Sequence, residues 1–117
     1  MAPSQHPANV RVRDLKWSRT EKLIARRAFD LALGRELEDV IRETKDRAAR
    51  IKEATELWEL ESWLSERRRD IDRRYDYRYS VLPLVFSCLV RDGHLSEDEL
   101  SGLGPDKLES IRRARRT

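Results

Sequence analysis

Mostly apolar side chains recur at steps of three and four residues through the first two thirds of the chain, and the positions between them are largely charged. Steps of three and four place side chains on one side of an α-helix. The pattern therefore predicts helix from Ser18 to about Tyr75, with candidate bends at Gly34 and between Lys52 and Thr55. The two apolar stripes that carry this prediction are Ala25, Phe29, Leu33, Leu37, Ile41, Thr44, Ala48 and Ile51, and then Leu57, Leu60, Leu64, Ile71 and Tyr75.

Two capping boxes mark predicted helix starts. Ser18 is followed three residues later by Glu21, and Ser96 in the same way by Glu99. In this arrangement the serine oxygen accepts a backbone N–H, and the carboxylate accepts the N–H of the serine itself. We expect one helix to begin at each box.

The C-terminal third carries the most apolar segment, the run 81–90. We predict that Ser80 caps a buried helix through this run, because Pro83 is tolerable in a first turn. Gly93 is expected to end that helix, and Pro105 to open a last one. The run is about half of the roughly 20 residues needed to cross a bilayer, so we expect no membrane insertion.

These elements predict an all-α fold with three segments. Residues 1–16 lack apolar periodicity and are expected to form a flexible N-terminal tail. Residues 17–77 are predicted to form a long helical stem and dimerisation region, and residues 78–117 a small C-terminal helical head.

The stem needs a partner. Continuous helix from 18 to 75 would be about 85 Å long, which exceeds the width of a compact domain of this size. Its narrow apolar stripe is buried most simply by the same stripe of a second copy. We therefore predict a homodimer whose interface includes Leu33, Leu37, Ile41, Ala48, Ile51 and Trp58.

Charge argues against a nucleic-acid partner. The 117 residues are 38% hydrophobic and 40% charged, and 25 Lys and Arg are nearly matched by 22 Asp and Glu, for a net charge of +3. Asp70, Asp72 and Asp76 interrupt the basic run 67–74, whereas nucleic-acid binding favours a stripe of one sign. That run is open to three interpretations: a solvated face, an internal salt-bridge network or a docking patch.

The chain contains no recognisable catalytic or metal-binding motif. Neither His6 nor His94 has a second His or a Cys at ligand spacing. Cys88 lies on the most apolar predicted helix, where a buried, inert thiol is expected. We assign no catalytic residue, no metal and no cofactor, and we expect a protein that is not an enzyme. The single cysteine and the lack of a leader pattern favour a reducing, cytoplasmic setting.

Two tryptophans of the stem are candidate contacts for another protein. Trp58 and Trp63 are five residues apart, so they point about 140° away from each other on a helix. One can face the core or the dimer seam while the other faces outward. Large aromatic side chains often anchor protein interfaces, although internal packing of both remains an alternative.

Residues 57–68 (LWELESWLSERR) and 75–82 (YDYRYSVL) closely resemble the fluorescence recovery protein family. The resemblance covers about the last sixty residues, through Ile71-Asp72, Val85-Phe86, Leu89-Val90, Gly93, Glu99-Leu100 and Asp106-Lys107-Leu108. It implies an all-helical dimer with a stem and a head. It also implies a regulator that binds the photoactivated red form of the orange carotenoid protein, detaches it from the phycobilisome and speeds its return to the orange form.

The resemblance also implies site residues. The family's functional tryptophan falls on Trp58 and its functional arginine on Arg68, with Arg67 as the neighbouring alternative. An apolar head surface maps near Leu84. The predicted partner-binding set is Trp58, Glu61, Ser62, Trp63, Leu64, Arg68 and Leu84. The implied location is the cytoplasm, at the periphery of thylakoid-associated phycobilisomes.

Two positions depart from the family pattern. The family has His and then Asp three and four residues after the functional tryptophan, and this chain has Glu61 and Ser62. The change alters charge and hydrogen bonding at the presumed docking face. A dimeric helical adaptor or chaperone-like protein for a different partner is therefore the alternative function.

Overall fold

The computed structural model describes residues 11–116 and contains four α-helices. They are α1 (Arg19–Ala49), α2 (Ala54–Arg74), α3 (Leu82–Arg91) and α4 (Pro105–Arg115), with short 3₁₀ helices at Val12–Asp14 and Glu97–Leu100. The described residues contain no strand, which confirms the predicted all-α class. Residues 1–10 of the predicted tail lie outside the described residues.

The predicted capping box opens α1. The Ser18 Oγ accepts the backbone N–H of Glu21 at 3.1 Å, and Glu21 Oε1 accepts the backbone N–H of Ser18 at 2.9 Å. The same carboxylate accepts the backbone N–H of Gly104 at 2.7 Å and the Lys107 ammonium at 3.1 Å. Local sequence thus starts the helix, and the cap also ties it to the start of α4.

Helices α1 and α2 form an antiparallel hairpin. Arg47 stacks on Trp63 near the turn, with its guanidinium carbon 4.4 Å from the ring centroid, and Glu36 pairs with Arg74 at the open end. The predicted bend near 52–55 is confirmed, because residues 50–53 form the turn and Glu53 caps α2. A continuous helix of about 85 Å therefore does not form, since the chain turns back at this point.

The second predicted bend, at Gly34, is also wrong. Helix α1 continues through Gly34, and nothing lies within 4 Å of the position where its side chain would begin. A glycine inside a helix costs about 1 kcal/mol relative to alanine. Ala32 and Glu36, one on each side, are both buried, and their packing outweighs that cost.

The hydrophobic core lies where the first half of α1 packs against the C-terminal helices. Alanine side chains on α1 allow the helices to approach closely, and Phe29 fills the space beside them. The core of the predicted head therefore includes part of the predicted stem, and the division at residue 77 stays a prediction. The core residues are Ala25, Ala28, Phe29, Ala32, Leu82, Val85, Phe86, Leu89, Leu95, Leu100, Leu103 and Ile111.

Aromatic contacts hold the connection between α2 and α3. The Phe29 ring meets Tyr75 edge-on at 5.4 Å and Tyr77 at 4.9 Å between centroids. Tyr77 lies 5.6 Å from Tyr79, which in turn lies 5.4 Å from Trp17. Edge-to-face geometry at these distances is favourable for aromatic pairs. The connection is thus packed on α1, which fixes where α2 ends relative to the head.

The predicted start of α3 is wrong, and its predicted end is confirmed. Ser80 does not cap the helix: α3 begins at Leu82, and Val81 precedes it without a side-chain cap. With Ser80 as the cap, the third helical residue would be Pro83, whose nitrogen has no hydrogen to donate. Gly93 ends the helix as predicted, with φ of 85°, and His94 N–H donates to the Leu89 carbonyl at 2.9 Å.

We predict that Ser18→Ala lowers the free energy of unfolding by about 1 kcal/mol, because it removes the cap of α1. Chemical denaturation followed by circular dichroism measures the change. Ser80→Ala is the matched control, since Ser80 is exposed and caps no helix, and we expect a change within about 0.5 kcal/mol. Equal losses in the two variants would contradict the assignment of the caps.

Candidate functional site

The hairpin presents large apolar side chains to solvent. Leu37 and Ile41 on α1 are 43% and 54% exposed, and Trp58 near the start of α2 is 64% exposed. Scattered exposed leucines are ordinary on a protein surface, but a contiguous apolar face marks an interaction site. These side chains belong to one end of the molecule, away from the core of the head.

A groove runs between α1 and α2 on this side. It has a volume of about 590 Å³ and is open to solvent along its length. Apolar side chains form its floor, and polar side chains of α2 form its rim. The floor residues are Leu33, Leu37, Val40, Leu64 and Ile71, and the rim residues are Glu61, Ser65, Arg67, Arg68 and Asp72.

The structure does not bring the predicted partner-binding residues together on one surface. Glu61, Leu64 and Arg68 line the groove. Trp58 is exposed near the turn, and Leu84 is exposed on α3 in the head. Ser62 is exposed on the outer side of α2, whereas Trp63 is half-buried and contacts the Arg47 guanidinium of α1. Trp58 and Trp63 therefore point in different directions, as their spacing predicts.

Adjacent arginines of α2 have opposite environments. Arg67 points toward α1 and pairs with Glu36 at 3.2 Å. The Arg68 side chain is 85% exposed, and its nearest acidic partner is the exposed Asp72 at 4.0 Å. Exposed pairs of this kind contribute little to stability. Arg68 is thus available to a partner, and Arg67 is occupied within the chain.

A buried carboxylate joins both helices to the head. The Glu36 side chain is only 2% exposed and accepts hydrogen bonds from Arg74 Nη1 at 3.0 Å and from Tyr75 Oη at 2.9 Å. Arg67 approaches from α2, and His94 Nε2 lies 3.5 Å away in the loop after α3. Burying a carboxylate is unfavourable unless it is paired and hydrogen-bonded in this way.

The ionisation of this cluster follows from its contacts. Burial by itself raises the pKa of Glu36, but the hydrogen bonds from Arg74 and Tyr75 and the charge of Arg74 lower that pKa below its ordinary value. Burial and the hydrogen bond to Glu36 raise the pKa of Tyr75 above its ordinary value. Glu36 is therefore charged, and Tyr75 neutral, throughout the physiological range.

Sequence reasoning missed Glu36. In a chain with 40% charged residues, one more glutamate does not stand out. The available signal was its spacing, because Glu36 follows Ala25, Ala28 and Ala32 on the side of α1 that faces the core. A carboxylate on an otherwise apolar helix face indicates a buried ion pair.

The predicted dimer residues differ in exposure. Leu37, Ile41 and Ala48 are exposed, whereas Leu33 and Ile51 are half-buried. The interface stays a prediction. Within residues 11–116, no group of three or more His, Cys, Asp or Glu side chains is placed to hold a metal ion, and no helix is long and apolar enough to span a bilayer.

The chain is similar to known proteins over most of its length. The family model described as photoprotection regulator fluorescence recovery protein matches residues 17–114. The fluorescence recovery protein of Synechocystis sp. PCC 6803 is 35% identical over 96 residues, which cover 82% of this chain and 88% of that protein.

Solved structures show the same arrangement of helices. The fluorescence recovery protein of Fremyella diplosiphon superposes with a TM-score of 0.83 at 42% identity, over 87% of this chain and 100% of that chain. The Synechocystis sp. PCC 6803 protein also gives a TM-score of 0.83, at 34% identity and with the same coverage. The likeness therefore extends over the hairpin and the head together.

We predict that the Glu36 pair stabilises the fold at neutral pH and loses its effect in acid. The pKa of Glu36 is lowered on folding, so its contribution is complete above the ordinary value of 4.5 and is lost as the pH falls through the lowered value. Glu36→Gln should therefore cost about 3 kcal/mol at pH 7, with a difference from the wild type that shrinks below pH 4.5. Urea unfolding at several pH values measures it.

Asp46→Asn is the control for that experiment, because Asp46 pairs with Arg50 at the end of α1 and their side chains are 65% and 69% exposed. We expect its stability to stay close to the wild-type value at every pH. A difference between Glu36→Gln and the wild type that stays constant down to pH 2 would contradict the assignment of the charge.

Proposed function

Because the chain belongs to the fluorescence recovery protein family of photoprotection regulators, we propose that it binds the photoactivated red form of an orange carotenoid protein. In this proposal it speeds the return of that protein to the inactive orange form, at the phycobilisome, and so restores phycobilisome fluorescence. The observation that supports it most directly is the exposure of Trp58 and Arg68 on α2, in the segment that most resembles the family.

The proposed activity requires no covalent chemistry. A binding protein accelerates a conformational change only if it binds the transition state more tightly than the starting state. Each tenfold acceleration needs about 1.4 kcal/mol of such preference. An exposed tryptophan and an exposed arginine are among the side chains that most often contribute strongly to binding. Leu84 on the head would supply a second, apolar contact.

We propose that a second copy of the chain buries the apolar side of the hairpin. Leu37 and Ile41 are 43% and 54% exposed, and they belong to the stripe predicted for dimerisation. A two-fold axis would place this stripe against itself, with Leu33, Ala48 and Ile51 beside it and Trp58 at its margin, accessible to the partner. Burial of these side chains would favour a homodimer.

Glu61 and Ser62 motivate the alternative partner. Glu61 accepts a hydrogen bond from Ser65 at 3.0 Å and carries its charge on the rim of the groove, next to the proposed contact surface. Ser62 is exposed and uncharged. Charge at a rim governs association rates and partner choice more than it governs folding. A helical adaptor for a different protein is therefore the second candidate.

We predict that the wild-type protein accelerates the red-to-orange recovery of a photoactivated orange carotenoid protein, measured by absorbance in the dark. Trp58→Leu and Arg68→Leu should each reduce the acceleration about tenfold or more, which corresponds to the loss of a strong interface contact. Arg73→Leu is the control, because Arg73 is an arginine of α2 whose side chain is 73% exposed and does not line the groove. No acceleration by the wild type would favour the adaptor.

The dimer is tested separately. We predict that the wild type sediments as a dimer at micromolar concentration and that Ile41→Glu sediments as a folded monomer, because it would bury a carboxylate in the interface. Leu31→Glu is the control: Leu31 is 40% exposed on α1 and outside the predicted interface. A wild-type monomer, or equal dissociation by both variants, would contradict the proposed interface.

A further inference from the structure

We infer that Glu36 is a positioning residue for the partner-binding side chains: it sets the rotation and tilt of α2, so that Trp58 and Arg68 face the partner, and it links α2 to the head. This inference rests on the proposed function, in which Trp58 and Arg68 make the contacts. Glu36 itself is buried beneath the hairpin and cannot reach a partner.

The first step is the convergence of the ion pairs. Most ion pairs of the hairpin lie within one helix, such as Arg26 with Asp30 and Glu43 with Arg47. Pairs within a helix cannot orient that helix relative to another. Among the described residues, the two ion pairs that join α1 to α2 are both made by Glu36, with Arg67 and with Arg74.

The second step is the helical phase. Arg67 and Arg74 are seven residues apart, which is about two helical turns, so both face the same direction. When Glu36 holds them toward α1, Arg68 lies about 100° further round the helix. It then stands at the groove rim with its side chain 85% exposed. Rotation of α2 by that angle would exchange the surroundings of the two neighbouring arginines.

The third step is the distance along α2 between Trp58 and the arginines that bind Glu36. Trp58 lies about 19 Å along the helix axis from the midpoint between Arg67 and Arg74. A tilt of about 10° at that midpoint would displace Trp58 by about 3 Å, and gaps of 0.5–1 Å already forfeit much of a van der Waals contact. Arg47 of α1 also contacts Trp63 of α2, but a cation–π contact at a partly exposed site contributes only about 0.5–1 kcal/mol, so it restrains α2 more weakly than the buried ion pairs do.

The fourth step is the link to the head. Tyr75, the residue after α2, donates to Glu36, and His94 approaches the same carboxylate from the loop after α3. The carboxylate of Glu36 on α1 therefore contacts both the residue after α2 and the loop after α3. Leu84, on α3, and Trp58, on α2, are the two outlying partner contacts, and their separation is held by this cluster.

The positioning role is tested without any partner by a distance measurement. Spin labels are attached at Glu59→Cys on α2 and Ser101→Cys in the head, in a Cys88→Ser background. Pulsed electron paramagnetic resonance then measures the distance between the two labels. Both sites are exposed. The labelled protein is diluted with unlabelled protein so that distances within one protomer dominate. We expect a narrow distribution, broadened by Glu36→Gln and unchanged by Asp46→Asn, which removes only an exposed ion pair at the end of α1.

A milder variant keeps the test valid if Glu36→Gln does not fold. Arg67→Gln removes one of the two arginines and leaves Arg74 and Tyr75 on the carboxylate. We expect an intermediate broadening with the helix content unchanged. Wild-type distributions in both Arg67→Gln and folded Glu36→Gln would overturn the inference.

The recovery assay separates positioning from contact. If Glu36→Gln leaves the competent orientation populated at about one tenth, half-maximal acceleration needs about tenfold more protein, while the plateau stays the same. A lower plateau at an unchanged half-maximal concentration would overturn the inference. Absence of acceleration by the wild type would refute the proposed function instead, and the distance measurement would then decide the role of Glu36 alone.

Discussion

The carboxylate of Glu36 is the point at which the two parts of the molecule are joined. It lies on the side of α1 that faces the core, it is almost fully buried, and it receives Arg67 and Arg74 from α2 and Tyr75 from the connection to α3. A buried charge is tolerated only when its partners are complete. In the positioning role proposed for Glu36, these contacts fix the rotation of α2 and so determine which of its side chains remain exposed.

Features that depend on neighbouring residues could be predicted from the sequence. The period of the apolar stripe placed α1 and α2 on helices, and the capping boxes at Ser18 and Ser96 are present as expected. The turn near residue 52 was also predicted. The errors at Gly34 and Ser80 have local causes: buried neighbours outweighed the flexibility of the glycine, and Pro83 could not donate to the serine.

Features that depend on distant residues could not be predicted. The direction of the chain after the turn is set by contacts such as Glu36 with Arg74, which are 38 residues apart. Many glutamates and arginines are present, so the sequence does not indicate which of them pair. The proposed partner-binding residues rest on resemblance to a family, and the structure adds which of them are exposed. It also distinguishes Arg68 from Arg67, which composition and periodicity left equivalent.

The tie between Glu21 and the start of α4 determines where the ends of the described chain lie. Glu21 binds the Gly104 N–H and the Lys107 ammonium, so residues just before α1 and the whole of α4 lie at the head. Helix α1 then extends about 46 Å to the turn, and Trp58 lies at that far end. A chain immobilised or fused through either end would hold its head at the attachment and present the tip of the hairpin to solution.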